Sequence, residues 1–392
     1  MGSAVVSGRA AVAAVGAVVI SGLTAVPAFA QCASPAGVYA ESAGWAQRLT
    51  DASETWPLSD GTGQLVAVVG TGIDAGNAQF APGQVVPGSD LGDCDGRGTF
   101  AAGIVGAQRV PDTAFAGVAP GARLLGIRYT ETTTAGGEPS PDALAGAIER
   151  AVDAGATVVL VAVPAASTSP ALEAAVRDAL SRNAVVVSPA VGDQPEDRSY
   201  PTDLPGVLAV GALDESGAAV QGEAGDHLSL AAPGADLVGV SAGARGLGHR
   251  WGVDVPAFSA AYVAGAAALV RSYRPELDAE QVADRLARTA SRPPNGHDPR
   301  LGWGVLNVNS AVTTELVDDP SALELPAPMP DVPTVRPAAG PPPLPDHSPL
   351  SGWLALLGIA LAGLAVVARA TIRLGRARGW RPGSDSWTWN DR

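Results

Sequence analysis

The chain reads as an α/β protein built on a mainly parallel central sheet, followed by one C-terminal transmembrane helix. Three observations predict this. Short apolar runs recur with few polar interruptions, amphipathic stretches between them open on helix-start residues, and a charge-free run lies near the C-terminus.

Strand candidates fall at residues 65–69, 123–129, 157–163, 184–188, 207–212 and 236–240. Most are apolar on consecutive residues, as suits strands covered on both faces in a parallel sheet. Between them, residues 141–154 and 169–182 carry helical periodicity. Each starts beside a Ser-Pro pair, Ser140-Pro141 and Ser169-Pro170, which supplies an N-cap oxygen and a preset first turn. Residues 258–274 read as a buried Ala-rich helix that can pack closely, and residues 279–289 as a further helix after Pro275. The folded domain therefore spans residues 61–317, preceded by an extension at 31–60 that carries Cys32, Trp45 and Trp56.

With 392 residues, 46% hydrophobic, and a net charge of −14, the chain suits a packed domain with accessories. The acidic balance argues against nucleic acid as a partner. All the basic residues are Arg, which reads as lineage bias and carries no functional weight. Residues 1–30 read as a signal peptide: Arg9, an apolar stretch over 10–26, and Ala28-Phe29-Ala30 as a small-x-small cleavage site. The alternatives are an uncleaved anchor or, with Cys32 close by but Gln31 ill-suited to it, a lipoprotein. Cys32 and Cys94 are the two cysteines, and export favours their pairing over two free thiols. Closing a loop of roughly 60 residues stabilises by about 4 kcal/mol in the loop-entropy account. Residues 318–349 form a Pro-rich spacer, and residues 350–369 an apolar span. A helix of roughly 20 residues is about 30 Å long, enough for a bilayer core. Arg369, Arg373, Arg376, Arg378 and Arg381 then place the tail, residues 370–392, in the cytoplasm and the large domain outside.

Four segments carry a family resemblance. Residues 66–72, Val-Ala-Val-Val-Gly-Thr-Gly, resemble the Val-Ala-Val-Ile-Asp-Thr-Gly strand and turn of subtilisin-like proteases, with Gly70 at the Asp position. Residues 93–99 resemble Asp-Cys-Asp-Gly-His-Gly-Thr, with Arg97 at the His position. Residues 255–265 resemble the segment around the catalytic Ser, with Ala257 in its place, and residues 187–193 resemble the one ending in the oxyanion-hole Asn, with Asp193 there. The resemblance runs over residues 61–312 in subtilase order and implies a subtilisin-like three-layer fold. The signal peptide, the cysteine beside the Arg97 segment, the spacer and the C-terminal helix make the layout similar to the mycosins, membrane-anchored subtilases of actinobacterial type VII secretion systems. That resemblance implies a surface-facing domain whose partners are components of the secretion membrane complex, with secreted polypeptides as further partners. It implies no cofactor.

The substitutions point to lost chemistry. In the triad mechanism Ser attacks, His moves its proton, Asp orients the imidazole and a donor steadies the oxyanion. Ala257 has no nucleophile, the Arg97 guanidinium stays protonated and cannot be a base, and Gly70 has no side chain to orient one. An ionised Asp193 would repel an oxyanion where loss of a donor alone costs roughly 2.7–4 kcal/mol. The chain is therefore expected to be an inactive homologue. The alternative is an active endopeptidase using residues the motifs do not mark. Ser259, about 200° round a helix from Ala257, reads as a packing residue. Asp74 reads as a turn residue and His249 as an exposed loop residue, while His227 and His297 lack a recognisable Ser or Cys partner. No cluster has metal-ligand spacing, Asp93 and Asp95 fit an ordinary loop, and the Gly70–Gly72 and Gly96–Gly98 pairs serve turns. One sharper expectation is an Arg97–Asp193 ion pair closing the old cleft, against both charges pointing into water.

Overall fold

The computed structural model describes residues 32–131, 139–291, 293, 296–316, 364, 367–375 and 379. The chain divides into two compact units at Val317/Asp318. In the second unit, residues 364 and 367–375 are helical. Among the described residues no helix is long and apolar enough to cross a membrane. The signal peptide expected at 1–30 and the spacer expected at 318–349 lie outside the described residues, as do most of the expected span at 350–369 and of the expected tail.

The first unit opens with a short helix α1 (Trp45–Thr50) and a 3₁₀ turn (Ala52–Glu54), then runs β1 (Leu65–Gly70), α2 (Arg97–Gly106), β2 (Arg123–Arg128), α3 (Pro141–Asp153), β3 (Val158–Val161), α4 (Pro170–Ser181), β4 (Val185–Pro189) and β5 (Leu208–Leu213). Then follow β6 (Leu230–Pro233), β7 (Leu237–Val240), β8 (His249–Val253), a 3₁₀ turn (Pro256–Phe258), α5 (Ser259–Tyr273), α6 (Ala279–Arg288) and α7 (Val308–Thr313). Six strands form one sheet in the order β2-β1-β3-β4-β5-β6, parallel throughout. The run at 236–240, expected with the other strands, pairs instead as β7 antiparallel to β8 in a separate two-stranded sheet.

Alternation along β1 explains why its apolar run is continuous. Leu65, Ala67 and Val69 pack with Leu144 and Ile148 of α3 on one face. Val66 and Val68 face the cluster containing α2 and α5 on the other. The result is the expected three layers, α3 and α4, sheet, then α2 and α5. Each fully buried Val, Leu, Ile or Phe stabilises by about 1.5–3 kcal/mol. The helix-start residues act as read: Ser140 Oγ accepts from Ala143 N at 3.3 Å and Ser169 Oγ from Leu172 N at 3.2 Å. In α5 every residue from Ser259 to Arg271 is buried. Its alanines and Gly265 allow that, since a Cβ on Gly265 would lie 2.6 Å from Val118 Cβ.

The extension is fastened to the domain. Cys32 and Cys94 form a disulfide, Gly37 bridges to His249 on β8, and Trp45 Nε1 donates to Ala235 O at 3.1 Å. Removing the bridge with Cys32→Ser and Cys94→Ser together is predicted to cost roughly 2–5 kcal/mol, read from chemical denaturation of the purified chain. A second pair of variants checks the packing. Gly98→Ala, where a Cβ would lie 2.0 Å from Gly72 O, should lose at least ~1–3 kcal/mol. Gly146→Ala, with nothing within 4 Å of its Cβ in α3, should gain roughly 0.5–1 kcal/mol.

Candidate functional site

Four positions mark the candidate site: Gly70, Arg97, Asp193 and Ala257. Gly70 closes β1 and is buried. A Cβ there would sit 3.3 Å from Ala162 Cβ and 3.6 Å from Val163 Cγ2 at the end of β3. The chain then turns through Thr71 and Gly72, whose φ of 97° favours glycine. Gly98, in the first turn of α2, rests directly on Gly72, and Thr71 Oγ1 accepts from Gly98 N at 3.0 Å. The N-terminus of α2 is capped from a distance. Asp93 Oδ1 accepts from Gly96 N at 2.8 Å, and Asp93 Oδ2 from Thr99 N and Thr99 Oγ1, both at 2.7 Å. A carboxylate suits that end of the helix dipole. Thr99 Oγ1 in turn accepts from Asp74 N at 2.9 Å, while Asp74 Oδ2 accepts from Gly243 N at 2.7 Å. Asp74 thus joins loops, as its turn reading implies.

Arg97 corrects the ion-pair expectation. Its Nε lies 3.2 Å from Asp95 Oδ1, an ion-pair distance without hydrogen-bond alignment, since that oxygen has no hydrogen-bond partner. Asp193 is exposed in the loop after β4, and among the described residues no ion pair joins it to Arg97. The physical reason is local. Asp95 is two residues from Arg97 in a loop already held by the Cys94 disulfide and by Asp93, so pairing there orders little additional chain.

Ala257 is buried in the 3₁₀ turn that leads into α5. Its neighbour Phe258 stacks on Phe100 of α2, with ring centres 4.4 Å apart. The Ser259 hydroxyl is buried and, among the described residues, has no hydrogen-bond partner. Among the described residues no imidazole bonds to it. His227 Nε2 lies 2.9 Å from Glu223 Oε1, and His297 Nε2 donates to Leu228 O at 2.8 Å.

His249 departs from its sequence reading, being fully buried on β8 and not exposed in a loop. Gln79 Nε2 donates to Gln108 O (2.8 Å) and Phe115 O (2.7 Å), so Gln79 turns its oxygen to His249 Nε2–H. Nδ1 is left to accept from Tyr39 N–H at 3.4 Å. The ring is thus held neutral, and burial brings its pKa down to about 4 from 6.5.

Sequence reasoning also missed the Glu223 network, for which only the four-residue spacing to His227 gave a signal. Glu223 Oε2 accepts from Ser199 N at 3.1 Å and lies 2.6 Å from Ser199 Oγ, while Glu223 N donates to Gly192 O at 3.0 Å. Burial pushes this carboxyl's pKa up, but the bonds from His227 and Ser199 outweigh it and hold the group below its usual value. The carboxylate lies between the serine and the imidazole, so it fastens the loop bearing Asp193 and forms no Ser–His relay. Among the described residues no group of three or more His, Cys, Asp or Glu could hold a metal ion.

The subtilase family model matches residues 61–304. Mycosin-3 of Mycobacterium tuberculosis is 34% identical over 85% of this chain and 84% of its own length. The crystal structure of MycP1 from Mycobacterium smegmatis superposes with a TM-score of 0.64 at 27% identity, covering 74% of this chain and 90% of that one. A chain of an intact ESX-5 inner membrane complex matches 87% of this chain and 94% of its own, with a TM-score of 0.58 at 28% identity.

The His249 geometry fixes a pH dependence. Between pH 4 and 6.5 the unfolded chain binds a proton that the folded chain refuses, so stability rises with pH across that window and falls on acidification. The full effect is roughly 3 kcal/mol at 1.36 kcal/mol per pKa unit. Thermal melts from pH 4 to 7 should show it, and His249→Gln should flatten that part of the profile.

Proposed function

Because this chain belongs to the subtilase family and, within it, to the mycosins, we propose that it is an inactive, membrane-anchored member that stabilises a type VII secretion membrane complex by its presence. The observation that carries this reading is the side-chain inventory at the four positions. Gly70, Arg97 and Ala257 offer neither nucleophile, base nor orienter, and Asp193 offers no donor to an oxyanion. Losing nucleophile and base together suffices, because penalties within a triad do not add. The buried Ser259 hydroxyl does not replace them, since each imidazole described is bonded elsewhere.

Complex association is supported by the match to a chain of the ESX-5 inner membrane complex across 87% of this sequence. Anchoring is supported by the apolar run at 350–369 followed by arginines, and by Leu364, Val367, Ile372 and Leu374, all exposed on helical residues of the second unit, where a bilayer would cover apolar side chains. The signal peptide at 1–30 then places the domain outside the membrane and the tail, residues 370–392, inside.

A fluorophosphonate probe and a casein substrate test the inactivity. The purified chain should show neither labelling nor cleavage, and Ala257→Ser alone should remain unlabelled because Arg97 cannot take the serine proton. Labelling of the native chain that Ser259→Ala abolishes would establish an active peptidase instead.

A further inference from the structure

A cavity of about 680 Å³ opens between α1, the turn at Ala52–Glu54, the loop after α2, and α5. That volume lies within the range of small-ligand sites. None of Gly70, Arg97, Asp193 and Ala257 lines it, so it is separate from those four positions and independent of whether they support peptide cleavage. Trp56, Phe115 and Val118 give it an apolar wall. The Trp56 ring is fixed by its Nε1–H, which donates to Val118 O at 2.9 Å.

Two polar features face this wall. The Arg109 guanidinium carbon lies 5.3 Å from the centre of the Trp56 ring, and among the described residues no carboxylate forms an ion pair with it. The other charged groups lining the cavity are engaged: Arg48 pairs with Glu215 at 3.3 Å, and Asp51 Oδ1 accepts from Ser53 Oγ at 3.3 Å. At the α5 side, Tyr262 lines the cavity, is 3% exposed and has a hydroxyl with no hydrogen-bond partner among the described residues. A buried hydroxyl without a partner is unfavourable.

We propose that this cavity binds an apolar carboxylate, its charge on Arg109, its body against Trp56, Phe115 and Val118, and a second oxygen accepting from the Tyr262 hydroxyl. One free cation stacked on an aromatic ring matches one carboxylate, and Asp51 at the rim disfavours a multiply charged anion. Burial raises the pKa of Tyr262, so the hydroxyl stays protonated and able to donate. The same chemistry is presented by a free aryl or alkyl acid and by the C-terminus of a polypeptide ending in an apolar residue.

Calorimetric titration of the full-length chain in nanodiscs tests this with three probes: N-acetylphenylalanine, its primary amide, and a pentapeptide ending in a free phenylalanine carboxylate. The acid should bind at least tenfold more tightly than the amide. Arg109→Gln should erase that difference, while Tyr262→Phe should weaken acid and amide alike without lowering the melting temperature, since among the described residues the hydroxyl has no hydrogen-bond partner. Equal or tighter binding by the peptide supports the site as a receptor for chain ends; binding of the free acid alone supports it as a small-acid site. Failure of all three probes to bind, equal affinity for acid and amide, or unchanged binding in both variants would overturn it.

Discussion

The approach of Gly98 to Gly72 is the constraint on which the site's geometry depends. A Cβ on Gly98 would come within 2.0 Å of Gly72 O, so the two backbones meet with no room for a side chain. That contact brings the end of β1 and the start of α2 together, and with them Gly70 and Arg97. Thr71, Asp93, Thr99 and Asp74 then bond across the junction, and Asp74 reaches Gly243 beyond β7. The disulfide adds the N-terminal extension to the same loop. None of these contacts uses a side chain at position 70, 97 or 257.

That independence explains how the subtilase frame is held together without side chains from Gly70, Arg97 or Ala257. Ala257 needs only to fill a buried turn beside the Phe100–Phe258 stack. Arg97 lies at the first position of α2, 30% exposed, with Asp95 beside it. Gly70 leaves the end of β3 close at hand. The packing that defines the fold is thus separable in this architecture from the side chains at positions 70, 97 and 257.

Much of the fold was legible because its signals are local. Apolar runs covered on both faces marked β1 to β5, and Ser-Pro pairs marked the starts of α3 and α4. The paired cysteines were legible from their number and from the export expected of residues 1–30. What escaped depends on long-range partners. Residues 237–240 look like any other apolar strand, and only β8 draws them into a separate sheet. His249 reads as a polar loop residue until Gln79 and Tyr39 arrive from elsewhere in the chain to satisfy both ring nitrogens. The cleft ion pair failed because sequence shows which charges share a segment's neighbourhood but not which is nearest in space. Arg97 took the carboxylate two residues away. Glu223 was invisible for a similar reason, since its partners Ser199 and Gly192 lie a loop away.

The proposed role, acting by presence in a membrane assembly, requires that loss of the chain change that assembly. Its most direct test is the yield and size of the type VII secretion membrane complex purified from cells lacking the chain, compared with cells carrying the native form. A smaller or scarcer complex is expected without the chain, restored by the native form. Complexes recovered unchanged in yield and size without it would rule that role out.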